Sequence, residues 1–384
     1  MRVPSTTTDT VPPAPANRLT ILTASDIDTI LASLSPEEAL LSQSKVFSQY
    51  SSASASSHDA NEIPSIQAPL RLATTYESGK TVYMPARVKE CGGTAIKLVS
   101  LPNESADSLP TTTLVLDETS GRVRYVINSS KLTALRNASG EPVHAPFSRL
   151  LSCSPPPAGS ALSYQLFPPA RDPTSLLIFG SGSQAYAHAH MFLKLHPSLK
   201  TLTLIVRRPT DRSTALASTL SNAFPHVSIS IGISTSSTFN LSQAVHNADI
   251  IITVTPSLSP LFNSVDVRSG THLVLVGSYT PAMHEISTDL VRRGGKIVVD
   301  SKHACLEEAG ELIDAQLSAD DLVEIGQLLS LDGEEKVARV KQVRQSGDVV
   351  IFKSVGIGLQ DVSIADLVIR EAEKSGLGTV VEDY

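Results

Sequence analysis

The chain has 384 residues, 31 Lys and Arg against 38 Asp and Glu, and a net charge of −7; it is too long for one ordinary core, and its dispersed cations leave no nucleic-acid footprint. No apolar run approaches the ~20 residues that span a bilayer, and the opening Met1-Arg2-Val3-Pro4-Ser5 lacks the apolar core of a signal peptide. Three scattered cysteines, Cys91, Cys153 and Cys305, follow no metal spacing, so the expectation is a reduced, soluble, cytoplasmic protein with no membrane partner and no metal.

In chain order, residues 1–18 are rich in Thr and Pro and are expected to be disordered. A helical pattern covers 24–50, and the Ser/Ala run at 51–57 reads as a surface loop or an extended helix end. Strand-like runs follow at 81–84, 94–100, 112–116 and 123–127, with a hairpin candidate at 116–122. Prolines 155, 156, 157, 168, 169 and 173 predict a linker. The apolar run at 176–179 then breaks into Gly180-Ser-Gly182-Ser183-Gln184-Ala185. That is the form of a dinucleotide-binding turn, in which Gly180 permits a tight exit, Gly182 a close approach to pyrophosphate and Ala185 a helix packed on the sheet.

Further apolar runs at 202–206, 227–231, 250–254, 272–276 and 296–299 alternate with helical spacing such as 213–224 and 287–293. Continuous apolar strands of this kind predict a parallel sheet covered on both faces, hence a Rossmann-type α/β domain. The strand at 202–206 runs into Arg207 and Arg208, with no acid before Asp211. An NAD site commonly carries an acid there, about 20 residues past the glycines. Two guanidinium groups suit a 2′-phosphate instead, so NADP is the preferred cofactor and NAD the alternative.

Read as an ordered series, Arg71 in Pro69-Leu-Arg71, the Met84-Pro85-Ala86 turn, Lys97 in Ala95-Ile-Lys97, Leu109-Pro-Thr111, Leu132-Thr-Ala-Leu-Arg136, the glycine turn, Thr253-Val-Thr255-Pro, Gly277-(x7)-Glu285, Val299-Asp300-Ser, Glu308-Ala-Gly310-Glu and Lys353-Ser354-Val355-Gly356-(x4)-Asp361 resemble the ornithine cyclodeaminase and mu-crystallin family of NAD(P)-dependent enzymes, with a flavour of its fungal proline-utilisation branch. The resemblance implies a Rossmann domain (155–354) inserted in an α+β substrate and dimerisation domain (19–154 plus 355–384), and a homodimer. A last helix near 358–375 would turn Val362, Ala365, Leu367, Val368 and Ala372 toward the first domain.

The resemblance also implies roles. Arg71 matches the anchor of a substrate carboxylate, Lys97 a second substrate contact and proton donor, and Val355 a further substrate neighbour. Arg136 and Asn137 match pyrophosphate contacts, Asn137 standing where Thr is usual. Thr111, Gly180, Gly182, Ser183, Gln184, Arg207, Arg208, Thr253, Thr255, Val276, Gly277 and Ser354 complete the implied cofactor site. Where cyclodeaminases carry an aspartate, the segment Gly277-Ser-Tyr279-Thr-Pro281 has Tyr279. A phenol with an ordinary pKa near 10 is a poor base, though it donates a proton or orients a substrate.

That departure favours an NAD(P)H-dependent reductase of a small cyclic imino acid, such as pyrroline-2-carboxylate. The alternatives are a cyclodeaminase acting on ornithine or a related amino acid with bound NAD, and an NADPH-dependent binding protein without turnover. Among other polar residues, His188 and His190 fall on different helix faces and are expected to be ordinary helix residues. His284 is a candidate proton relay, Glu285 is expected to open a helix, and Asp300 and Asp361 are expected to be caps or anchors.

Overall fold

The computed structural model describes residues 18–55, 63–102, 110–130, 132, 155–169 and 171–384, and two sheets organise them. The first part runs β1 (Arg18–Leu22), α1 (Ala24–Ser33), α2 (Pro36–Ala55), β2 (Ile66–Gln67), β3 (Leu72–Tyr76), β4 (Gly79–Val88), β5 (Gly93–Pro102), β6 (Thr111–Leu116) and β7 (Val123–Asn128). The one helix expected over 24–50 is two, because Pro36 cannot continue a helix but suits the first position of a new one. Ser35 and Glu38 cap each other's amides at that restart. The Ser/Ala run continues α2 as far as Ala55.

Along β5, burial alternates residue by residue, with Gly93, Ala95, Lys97 and Val99 inward, as expected for a sheet covered on one face. The Met84-Pro85-Ala86 segment is not a turn but lies within β4. On one side it pairs with β5; on the other, β3 stops opposite Tyr83 and β2 begins only opposite Arg87. Pro85 thus sits at a gap in the ladder, where its missing N–H costs nothing.

The second part holds α3 (Pro155–Leu166), β8 (Ser175–Phe179), α4 (Ser183–Leu195), β9 (Thr201–Val206), α5 (Asp211–Ala223), β10 (Ser228–Ile233), α6 (Leu241–Asn247), β11 (Ile250–Thr253), β12 (His272–Leu275), α7 (Thr288–Arg293), β13 (Ile297–Val299), α8 (Lys302–Glu308), α9 (Gly310–Asp314), β14 (Leu322–Glu324), α10 (Ile325–Leu329), α11 (Gly333–Arg344) and β15 (Val350–Lys353). Its sheet order is β10-β9-β8-β11-β12-β15-β13-β14, and every pair is parallel. This is a Rossmann-type arrangement whose last strand slots between β12 and β13. The chain ends with α12 (Gly358–Ser375), which packs on β4 and β5, and β16 (Thr379–Glu382), which pairs with β1.

The proline-rich stretch expected as a linker is in its first half the helix α3. Its three prolines occupy the first turn, where amide donors are not needed. The following small residues let it pack closely: a Cβ on Gly159 would lie 3.4 Å from both Phe47 of α2 and Phe352 of β15. α3 is therefore a packed element joining the two sheets' layers.

Candidate functional site

The first sheet brings the implied substrate residues level by strand register. Leu72 pairs with Tyr83 and Met84 with Lys97, so Arg71, one residue before β3, comes beside Met84 and in the same row as Lys97. α12 covers this row, and its Asp361 meets Lys97 at 2.7 Å, with Lys97 1 % exposed. Asp361 is an anchor, as expected. Arg71 reaches from the first sheet to the second: its Nη2 lies 2.5 Å from Glu308 Oε2 and donates to the carbonyls of Val355 and Gly356 at 3.1 and 3.3 Å. The guanidinium thus already grips a carboxylate in a charge-assisted bond, the chemistry proposed for it toward substrate.

Tyr50, Arg71, Met84, Ser301, Glu308 and Gly356 line one cleft. Tyr279 is half-buried; burial pushes its phenol above the ordinary tyrosine pKa, while the nearby charge of Arg71 works against this. Val355 is buried beside the same carbonyls. Ser354 commits its hydroxyl to Asp300 at 2.7 Å, and Asp300 also accepts the amide of Gly356 at 2.7 Å, which fixes the backbone below the cleft.

The glycine turn lies at the C-terminal ends of the parallel strands. Gly180 has φ +128°, and a Cβ there would meet Val254 at 3.0 Å and Thr255 at 3.3 Å, so both conformation and space require glycine. Gly182 caps α4 with no side-chain bond, and Ser183 is the first helical residue. Gln184 is 2 % exposed, yet neither its Oε1 nor its Nε2 has a hydrogen-bond partner, and the hydroxyl of Thr255 is likewise buried without one. Buried orphan groups beside a helix N-terminus fit a polar, anionic ligand. Arg207 and Arg208 are exposed directly after β9.

Other expected cofactor residues serve the scaffold. Thr253 is fully buried, and its carbonyl accepts the amide of Val276 at 2.9 Å. A Cβ on Gly277 would come within 2.3 Å of the Thr255 amide nitrogen. Thr111 is buried in the first sheet, its backbone tied to Ser129 and Ser130. Arg136, Asn137 and Cys153 lie outside the described residues.

Two readings of single residues change. Glu285 does not open a helix, since α7 begins at Thr288; it is a fully buried loop carboxylate bound to three backbone amides. His284 is paired with Asp314 of α9 at 2.8 Å. His188 and His190 are helix residues, with burial lowering each to about 4; His188 bonds Ser160 at 3.0 Å, and His190 packs on Phe224. The residues missed as functional are the charged ones beneath the site: Lys353, Glu311 and Glu285 are all 0 % exposed. Their only signal in the chain is that each falls in a motif of the series.

Fold and cleft together define a Rossmann-type α/β protein whose cleft is lined by a guanidinium. The profile of the ornithine cyclodeaminase/mu-crystallin family matches residues 157–376, more than half of the 384, and the chain belongs to that family. It is 30 % identical over 213 residues to Delta(1)-pyrroline-2-carboxylate reductase of Bacillus cereus, covering 54 % of this chain and 60 % of that protein, less than two thirds of its length. Ketimine reductase mu-crystallin of Mus musculus is 28 % identical over 267 residues, 69 % of this chain and 71 % of that one. Among solved structures, Thermococcus litoralis Delta(1)-pyrroline-2-carboxylate reductase in complex with NADH and L-proline shares the fold with a TM-score of 0.72 at 20 % identity, covering 94 % of this chain and 99 % of that one.

Proposed function

We propose that the protein reduces a small cyclic imino acid, a ketimine such as pyrroline-2-carboxylate, with NADPH preferred over NADH, as a cytoplasmic homodimer. The observation that carries the reading is that Arg71 donates to the Val355 and Gly356 carbonyls just past β15 and that its charge reaches Tyr279 just past β12, in the same parallel sheet whose β8 runs into the glycine turn. Similarity to the Bacillus and mouse reductases supports the reaction class.

Arg71 holds the substrate carboxylate through paired hydrogen bonds, which aligns the C=N bond in the cleft. Lys97, oriented by Asp361, supplies the proton that the imine nitrogen needs. Gly180, Gly182, Gln184 and Thr255 would hold a nicotinamide dinucleotide, which would supply the hydride. Tyr279 keeps its proton at neutral pH, since burial raises its pKa, and so orients the substrate rather than acting as a base. Arg207 and Arg208, exposed after β9, support NADPH. Leu70, Leu72 and Tyr76, beside Arg71 in sequence and 40, 67 and 43 % exposed, support a partner subunit at this edge.

The test follows the reduced-nicotinamide absorbance of protein with NADPH and pyrroline-2-carboxylate, with NADH and ornithine as parallel arms. Rapid NADPH loss is expected. Ammonia from ornithine without imino-acid reduction would replace the reading with a cyclodeaminase, and tight NADPH binding without turnover in any arm would make it a binding protein.

A further inference from the structure

Below the cleft, one carboxylate ties together the ends of two parallel strands. Glu285 Oε1 accepts the amide of Thr255 at 3.0 Å, just past β11, and its Oε2 accepts the amides of Gly277 and Ser278 at 2.7 and 3.2 Å, just past β12. A Cβ on Gly277 would sit 2.4 Å from Glu285 Oε1, so the approach depends on glycine. Ser278 is also held from below: its carbonyl accepts Lys353 Nζ at 2.5 Å, and that ammonium lies 3.1 Å from Glu311 Oε1. The next residue is Tyr279.

We propose that Glu285 is a positioning residue of the imino-acid reductase: through the Gly277 and Ser278 amides it sets where Tyr279 stands beside Arg71, and gain of a proton by Glu285 releases that hold. The assignment of the reaction rests on the reading above. A carboxylate offers enough lone pairs for three amides, whereas a protonated carboxyl turns one oxygen into a donor and must give up part of the set. Burial pushes Glu285 up to about 7; Lys353 lowers it and Glu311 raises it, so both forms are populated near neutrality. The groups facing it are Lys353 from β15, Glu311 from α9, Thr253 from β11 and the Thr255 amide just past β11. Cys305 of α8 lies near Lys353, its thiol pushed up by burial and therefore neutral.

Tyrosine emission of the ligand-free protein, titrated across neutral pH, reads this directly, because the chain has 8 Tyr and no Trp. Wild type is expected to show a step near neutrality that is absent in Glu285→Gln and in Tyr279→Phe. In turnover assays Glu285→Gln is expected to raise KM for the imino acid roughly tenfold or more, with a smaller effect on kcat, and to lose the inflection of KM with pH. A step that persists in Glu285→Gln, or a wild type without one, overturns the proposal. Should the Gln variant not fold, Glu285→Asp keeps the charge on a shorter arm and is expected to move the midpoint; an unmoved midpoint overturns it as well. An emission step in a wild type that reduces no imino acid supports the carboxylate's hold on Tyr279 and overturns the reductase reading alone.

Discussion

Two buried lysines serve the two halves of this molecule differently. Lys97, in the antiparallel sheet, is 1 % exposed and meets Asp361 in the row that also presents Arg71 to the cleft. Lys353, ending a central parallel strand, is 0 % exposed and lies between the Ser278 carbonyl and Glu311, with Glu285 close by. Burial opposes its charge, and the two carboxylates outweigh burial and hold its pKa above the ordinary lysine value. One lysine is tied to the helix that covers the first sheet; the other holds the backbone that follows β12. Burial and pairing alone do not separate those roles, whereas what each ammonium touches does.

The largest expected effect comes from breaking the pair in the antiparallel sheet. Lys97→Ala should reduce turnover by about 10²–10⁴-fold, the ordinary contribution of a general acid, while NADPH still binds. It should also cost about 3–5 kcal/mol in urea denaturation by stranding Asp361. The double variant Lys97→Met/Asp361→Leu should recover most of that stability but none of the turnover. Recovered turnover would remove Lys97 from the chemistry.

Lys353→Met sharpens the contrast. It should cost a similar about 3–5 kcal/mol, since Glu311 and Glu285 lose their counter-charge. Unlike the Lys97 variant, it should weaken NADPH binding, because Ser278 and the neighbouring Gly277 and Thr255 lose their footing. A denaturation midpoint and a binding titration on each variant decide the matter; NADPH affinity unchanged in both would erase the distinction.

The pH dependence of stability tests the parallel-sheet half more finely. Glu285 is raised from 4.5 to about 7, so the folded state favours its protonated form. Its contribution is complete below about 4.5 and is lost as pH rises through about 7, at most about 3–4 kcal/mol. Urea midpoints of wild type and Glu285→Gln should therefore converge or cross as pH rises. A constant gap for Glu285→Gln would show that its charge state is not linked to folding.

The chain displays its Rossmann half openly, because glycine turns and continuous apolar strands are local signals; Gly180 needs its positive φ whatever surrounds it. The row of Arg71, Met84 and Lys97 is legible only through family resemblance, since it is brought together by strand register, which no one segment encodes. Glu285 read as a helix start because an acid before Ile286 and Ser287 suits that role locally. Its true partners, the amides of residues 255, 277 and 278, arrive through parallel pairing of distant segments. Pro155 to Pro157 misled for the opposite reason: a local breaker signal also fits a first helical turn, and the buried residues behind it decide.

The smallest expected effect lies in the exposed turn after β9 and tests selectivity rather than catalysis. Arg207 and Arg208 are exposed, and no acid follows before Asp211. Charge-assisted bonds to a 2′-phosphate should be worth about 1–3 kcal/mol per arginine, less where water screens them. Arg207→Ala/Arg208→Ala should therefore weaken NADPH well beyond NADH, with imino-acid KM unchanged, and rising salt should narrow the wild-type preference in the same direction. Equal losses for the two cofactors would show that these arginines read no phosphate and would return the cofactor to the undivided NAD(P) that the glycine turn alone supports.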